Sequence, residues 1–341
     1  MSLLDIRGLR AHVDTPAGTA RAVDGVDLLL KEGEAVGLVG ESGSGKTLLA
    51  LSILGLLPQG SGTILPGSSI SFRGEELVGM RGNRLREIRG GEVAMIFQEP
   101  MTSLNPVFTI GNQIQEAVEL HRPLNRRAAQ AEMIRLLGEV GISDPETRAG
   151  SYPHQLSGGM RQRAMIAMAL GGQPSLLVAD EPTTALDVTI QAQILRLLKD
   201  LQVQRGMGLL LISHDLSVVS RVCDRIVVLY GGKVVETGPT REILESPSHP
   251  YTRGLLGSRL SVDDRRRTLR PIPGEVPEAT EWPPGCRFHP RCPEVLDRCR
   301  REEPNLVPVK ARPGTADGQG GVQGGGREAR CWLLAGKEGG L

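Results

Sequence analysis

The chain of 341 residues is nearly without net charge: 40 Lys and Arg stand against 39 Asp and Glu, a formal +1. Its basic residues are scattered, so the electrostatic footprint of a nucleic-acid-binding surface is missing. The run Arg265 to Arg267 is offset by Asp263 and Asp264 and reads as a solvated face. No stretch approaches the about 18 consecutive apolar residues of a membrane-spanning helix. The opening MSLLDIRGLR lacks the apolar core of a signal peptide. If the protein works at a membrane, other chains are expected to cross it. Cysteine is scarce, with five in all, and no two form the C-x2-C pair of common zinc ribbons. What is present is 39% hydrophobic residues in a chain longer than one ordinary domain, enough for a core domain plus an extension.

The segment GESGSGKT, residues Gly40, Glu41, Ser42, Gly43, Ser44, Gly45, Lys46 and Thr47, fits G-x-x-x-x-G-K-[ST] without a mismatch. It follows an apolar strand-like run, Ala35 to Val39, and precedes a helix-like stretch, Leu48 to Leu57. In that context the glycines let backbone N–H groups curl into an anion nest. Lys46 then supplies a cation to the β- and γ-phosphates, and Thr47 a hydroxyl to Mg²⁺. A second cradle lies in QLSGGMRQR, where Ser157, Gly158 and Gly159 open the helical stretch Arg161 to Leu170. The run Leu-Leu-Val-Ala-Asp-Glu, residues 176 to 181, reads as a buried parallel strand ending in two carboxylates. Asp180 is expected to hold Mg²⁺ through water, and Glu181 to act as base toward the attacking water. A third apolar strand, Gly208 to Ser213, ends at His214, which gains meaning only from this company.

In order, these segments resemble the ATPase subunit of an ABC transporter: Walker A at Gly40 to Thr47, a glutamine in Phe-Gln-Glu-Pro (Gln98), LSGGM at Leu156 to Met160, Walker B with Asp180 and Glu181, Ala-Leu-Asp with Asp187, and His214. The resemblance implies an α/β fold, a P-loop NTPase (RecA-like) core with an antiparallel β subdomain and a helical subdomain. It also implies ATP and Mg²⁺ as ligands, with Thr47, Gln98 and Asp180 around the metal and Lys46, Gln98, Glu181 and His214 in catalysis. In this family two ATP are sandwiched in a head-to-tail dimer, so Ser157, Gly158 and Gly159 would serve the partner's nucleotide and Asp187 would adjoin it. Residues 1 to 34 alternate apolar and polar positions around a turn at Asp14 to Gly18, as an antiparallel hairpin does. The family's adenine-stacking aromatic falls at Val13, beside His12, so weaker apolar contact is expected there. Residues 100 to 158, with amphipathic patterns at Ile110 to Leu120 and Arg126 to Val140, form the expected helical subdomain. There Glu99, Pro100 and Met101 to Pro106 are the expected grip on a membrane partner.

After residue 245 the composition shifts. Prolines and arginines accumulate, both tryptophans (Trp282, Trp332) appear, and Gly318 to Gly326 reads as a flexible linker. We therefore expect an ATPase domain over 1–245 and an extension over 246–341. Cys286, Cys292, Cys299 and Cys331 lie in the extension, whereas Cys223 sits in an apolar context and reads as packing. Four thiolates suit either an iron-sulfur cluster or zinc. The segments SHPYTR (248–253), IPGEVP (272–277) and PGCRFHPRCP (284–293) resemble the extension of dipeptide and oligopeptide importer ATPases. That resemblance implies a [4Fe-4S] site at the four cysteines. It further implies a peripheral place on the cytoplasmic face of the inner membrane, two membrane-spanning permease subunits, a second identical or homologous ATPase subunit, and an external substrate-binding protein acting indirectly. Nickel chelates or other small solutes are alternative cargo. A mechanical ATPase of DNA repair or chromosome organisation is the alternative from another class, but no sustained heptads separate Gln98 from Leu156.

Overall fold

The computed structural model describes residues 2–98, 103–184, 186–258, 271–309 and 326–335. The contact expected at Glu99 to Met101, the charge run 263–267 and most of the glycine-rich stretch, 318–325, lie outside the described residues. The chain opens with the hairpin β1 (Ser2–Thr15) and β2 (Gly18–Lys31), closed by a tight turn in which Thr15 pairs with Gly18. This hairpin belongs to an antiparallel sheet of order β2-β1-β5-β6, with β5 at Ser69–Phe72 and β6 at Glu75–Glu76; β4 (Gly62–Ile64) also pairs with β1. Its inward residues, among them Leu4, Ile6, Leu9, Val23 and Leu30, pack on one face of the second sheet.

The second sheet carries the core. β3 (Ala35–Val39), β7 (Val93–Ile96), β8 (Leu176–Asp180) and β9 (Gly208–Ser213) run parallel, and β10 (Arg225–Tyr230) joins them beside β3. Every residue of β3, β8 and β9 is buried, as required of parallel strands covered on both faces. The helices Ile110–His121, Arg126–Glu139 and Gly158–Ala169 cover the other face through Ile114, Val118, Leu136 and Ile166. Thr109, Asn125 and Ser157 cap their first turns, each accepting from a backbone N–H three residues on.

The sheet continues through β11 (Lys233–Pro239) into the extension. β11 pairs with β10, β13 (Glu328–Ala329) pairs with β11, and β12 (Val307–Pro308) closes the edge, all antiparallel. Beneath it Tyr230, Tyr251 and Phe288 meet edge to face, with ring centroids 4.6 to 5.3 Å apart. Glu236 is fully buried and accepts from Ser248 N, His249 N and Arg327, so its charge is satisfied from three sides.

Candidate active site

The phosphate loop leaves β3 and enters the helix Lys46–Ile53. Two positions demand glycine. Gly45 has φ +101°, and a Cβ there would lie 2.1 Å from Ala22 O; at Gly40 a Cβ would lie 2.2 Å from Leu229 O. Lys46 is buried and its Nζ donates to Gly40 O at 2.8 Å and Glu41 O at 2.9 Å. Burial lowers its pKa, while Glu181, Asp180 and Glu41 favour the charged form. The ammonium is thus held inside the loop among three carboxylates.

β8 delivers the acidic pair. Asp180 is 1% exposed and its Oδ1 has no hydrogen-bond partner. Burial pushes its pKa up, the hydroxyl of Thr47 opposes that shift, and Glu181 adds to it. Glu181 has φ +46°, a left-handed backbone that a non-glycine residue adopts at a cost of about 1 kcal/mol. That twist turns its carboxylate toward three polar groups. Gln98 Nε2 donates to Oε2 at 3.3 Å, Thr184 Oγ1 donates to Oε2 at 2.9 Å, and His214 Nδ1 lies 3.2 Å from Oε1. A cavity of about 260 Å³ opens beside Glu181, Thr184, Leu186, Gln191 and His214. Sequence reading missed Thr184; a threonine three residues after a carboxylate carries no motif of its own.

The remaining expected residues lie on the elements around this cavity, on β1 and in the phosphate loop itself. Ser157 and Asp187 each cap a helix: Ser157 accepts from Met160 N, and Asp187 from Thr189 N and Ile190 N. Gly159 packs so closely on the helix Val188–Arg205, capped by Asp187, that an added Cβ would lie 2.8 Å from Ile190, whereas a Cβ on Gly158 would meet Leu186 at an ordinary 3.4 Å. Val13 is half-buried on β1, paired with Ala20 and Gly62. Ser42, Gly43 and Ser44 complete the loop, and Ser44 O accepts from Gly232 N at 3.0 Å.

In the extension, Cys286, Cys292, Cys299 and Cys331 share one neighbourhood, and each of the other three lies within electrostatic reach of Cys286. Burial pushes Cys286 up to about 12 and Cys331 up to about 11, and it raises Cys292 as well. Cys223 stands apart in the core, its thiol likewise pushed up by burial. Among the described residues no three His, Cys, Asp or Glu side chains close tightly enough around one point to hold a single metal ion.

Comparison with known proteins agrees with this geometry. The ABC transporter family matches residues 23–184, and the oligopeptide/dipeptide transporter C-terminal region matches residues 235–299. A Brucella ovis protein provisionally named a peptide import ATP-binding protein is 49% identical over 324 residues, covering 92% of this chain and 96% of that one. The oligopeptide transport ATP-binding protein AppD of Bacillus subtilis is 47% identical over 332 residues, 97% of each chain. The dimeric structure of MJ0796, a bacterial ABC transporter cassette, matches with a TM-score of 0.61 and 26% identity over 70% of this chain and 99% of that one. With the loop, the carboxylate pair and the extension all accounted for, the chain belongs to the ATP-binding subunits of ABC transporters, in the oligopeptide/dipeptide group.

Proposed function

We propose that the protein hydrolyses ATP in a head-to-tail dimer of ATPase subunits and thereby drives peptide import through membrane-spanning partners. The observation that carries the chemistry is the convergence of Gln98, Thr184 and His214 on Glu181, one residue from the buried Asp180. In this reading the loop N–H groups and Lys46 bind the phosphates, Glu181 accepts the proton of the attacking water, and His214 and Gln98 orient it. The orphaned Oδ1 of Asp180 and the hydroxyl of Thr47 are hard oxygen donors suited to Mg²⁺, with Gln98 nearby. When bound, the ion withdraws charge from the phosphates. Ser157, Gly158, Gly159 and Asp187 serve the partner's nucleotide, and Val13 touches the adenine.

No described helix is long and apolar enough to cross a membrane; in this reading the permease subunits are separate chains and this one lies against them on the cytoplasmic face. A cavity of about 490 Å³ between β7 and the helical subdomain, lined by Phe97, Ala117, His121 and Met165, supports docking there. The relatives named for peptide import support peptide cargo, selected by an external binding protein.

The cysteines support a second reading. Burial favours the protonated thiols of Cys286, Cys292 and Cys331, and a metal centre that replaced their protons would stabilise thiolates there. The likeness of the extension to that of peptide importer ATPases is what favours a [4Fe-4S] cluster at the four cysteines, with a structural zinc as the alternative, although among the described residues no group of three or more His, Cys, Asp or Glu closes around a metal ion.

Glu181→Gln tests the catalytic reading. ATP should still bind while turnover in the assembled transporter falls at least about a hundredfold, and in that background Ser157→Arg should abolish ATP-dependent dimerisation measured by light scattering. Unchanged hydrolysis would reject the role of Glu181, and normal dimerisation the trans site.

A further inference from the structure

The extension holds the phosphate loop directly at one end and through the Gly231–Gly232 turn at the other. Arg291, only 6% exposed, donates from both terminal nitrogens to the carboxylate of Glu41 at 2.7 and 3.0 Å, while its Nε donates to Pro273 O at 2.9 Å. The same loop residue donates its backbone N–H to the hydroxyl of Tyr251 at 2.8 Å. Its carbonyl accepts from Lys46 Nζ. At the other end, Ser44 O accepts from Gly232 N. The neighbouring Gly231 O accepts from Arg287, which also pairs with Asp24 and stacks over Trp282 at 4.9 Å. Each arginine is joined in sequence to a cysteine of the quartet, Arg287 to Cys286 and Arg291 to Cys292.

We propose that the extension is a clamp acting in cis on the phosphate loop: Arg291 and Arg287 set the loop's shape through Glu41 and the Gly231–Gly232 turn, so an ordered cysteine quartet is a condition of tight ATP binding. A bidentate guanidinium–carboxylate pair fixes direction as well as distance. The loop's N–H groups bind phosphate only while they converge, so preorganisation by the clamp appears as affinity. The proposal rests on the reading of Gly40 to Thr47 as the ATP loop.

The test uses the full chain carrying Glu181→Gln, with nucleotide affinity measured by calorimetry. Both tryptophans lie in the extension, so their emission reports whether it remains docked. Arg291→Gln should weaken ATP and ADP binding about tenfold with tryptophan emission unchanged, and leave adenosine binding unaltered, because the clamp acts on phosphate contacts. Arg291→Lys should recover part of the loss. Cys292→Ser should weaken ATP in the same direction. Where Arg291→Gln undocks the extension, Tyr251→Phe, which keeps the ring and deletes the acceptor for Glu41 N–H, should cost about threefold. Full ATP affinity in Arg291→Gln or Tyr251→Phe would overturn the clamp, as would an equal loss for adenosine. A parent chain that binds no ATP would overturn it together with the loop reading, and is distinguished by the parent's own titration.

Discussion

The ATPase core and the cysteine lobe close by different means. In the core, β3, β8 and β9 are buried at every position and the helices bring Ile, Leu, Val and Met to them, so its stability follows from apolar area. The lobe has two-residue strands and the short 3₁₀ turns His289–Arg291 and Asp297–Arg300. Its buried side chains include Arg287 and Arg291 next to Trp282, Phe288, Cys299 and Cys331. Such a lobe relies more on directed hydrogen bonds, such as those of Arg287 and Arg291, than on apolar area. Two regions closed so differently should break separately.

The sharpest break is expected in the core. Gly45→Ala forces a Cβ against Ala22 O at a backbone angle that disfavours it, and should lower ATP affinity at least about a hundredfold by calorimetry while leaving the lobe docked by tryptophan emission. Loss of the lobe with ATP binding intact would reverse the comparison. A milder break is expected at the quartet. The chain purified without oxygen should be brown with about four irons, and Cys299→Ser should lower the iron and shift tryptophan emission to the red while weakening, not abolishing, ATP binding. One zinc per colourless chain would assign the quartet to a structural zinc site instead.

The smallest effect concerns pH. His249 is buried, its Nδ1 accepts from Tyr251 N, and burial beside Arg253 and Arg330 holds its pKa down to about 3. A depressed folded value means that the unfolded chain takes the proton first. The stabilisation is therefore complete above the ordinary histidine value of 6.5 and is lost as pH falls from there toward about 3. The loss at pH 5 should be about 2 kcal/mol. His249→Asn, which can still cap the helix Pro250–Gly257, should flatten that part of the unfolding curve; an unchanged slope would remove His249 from the account.

Much of the nucleotide site could be read in advance because its parts are local. A strand of unbroken apolar residues, a glycine loop and a capped helix each depend on neighbours within a few positions, and β3, β8, β9 and the hairpin fell where the pattern put them. The four cysteines could be listed but not arranged, since spacing does not say which thiols meet.

The sequence by itself determined the phosphate loop, the order of the parallel strands' motifs and the presence of a cysteine-bearing extension. Tertiary structure alone decided that Arg291 would meet Glu41, 250 residues away, that Thr184 would join Gln98 and His214 on Glu181, and that Glu328–Ala329 would extend the core sheet. A two-residue strand is too short to show a period, and an isolated arginine in sequence looks like any solvated charge. Only burial beside a carboxylate gives it a direction, and that burial is made by residues far apart in the chain.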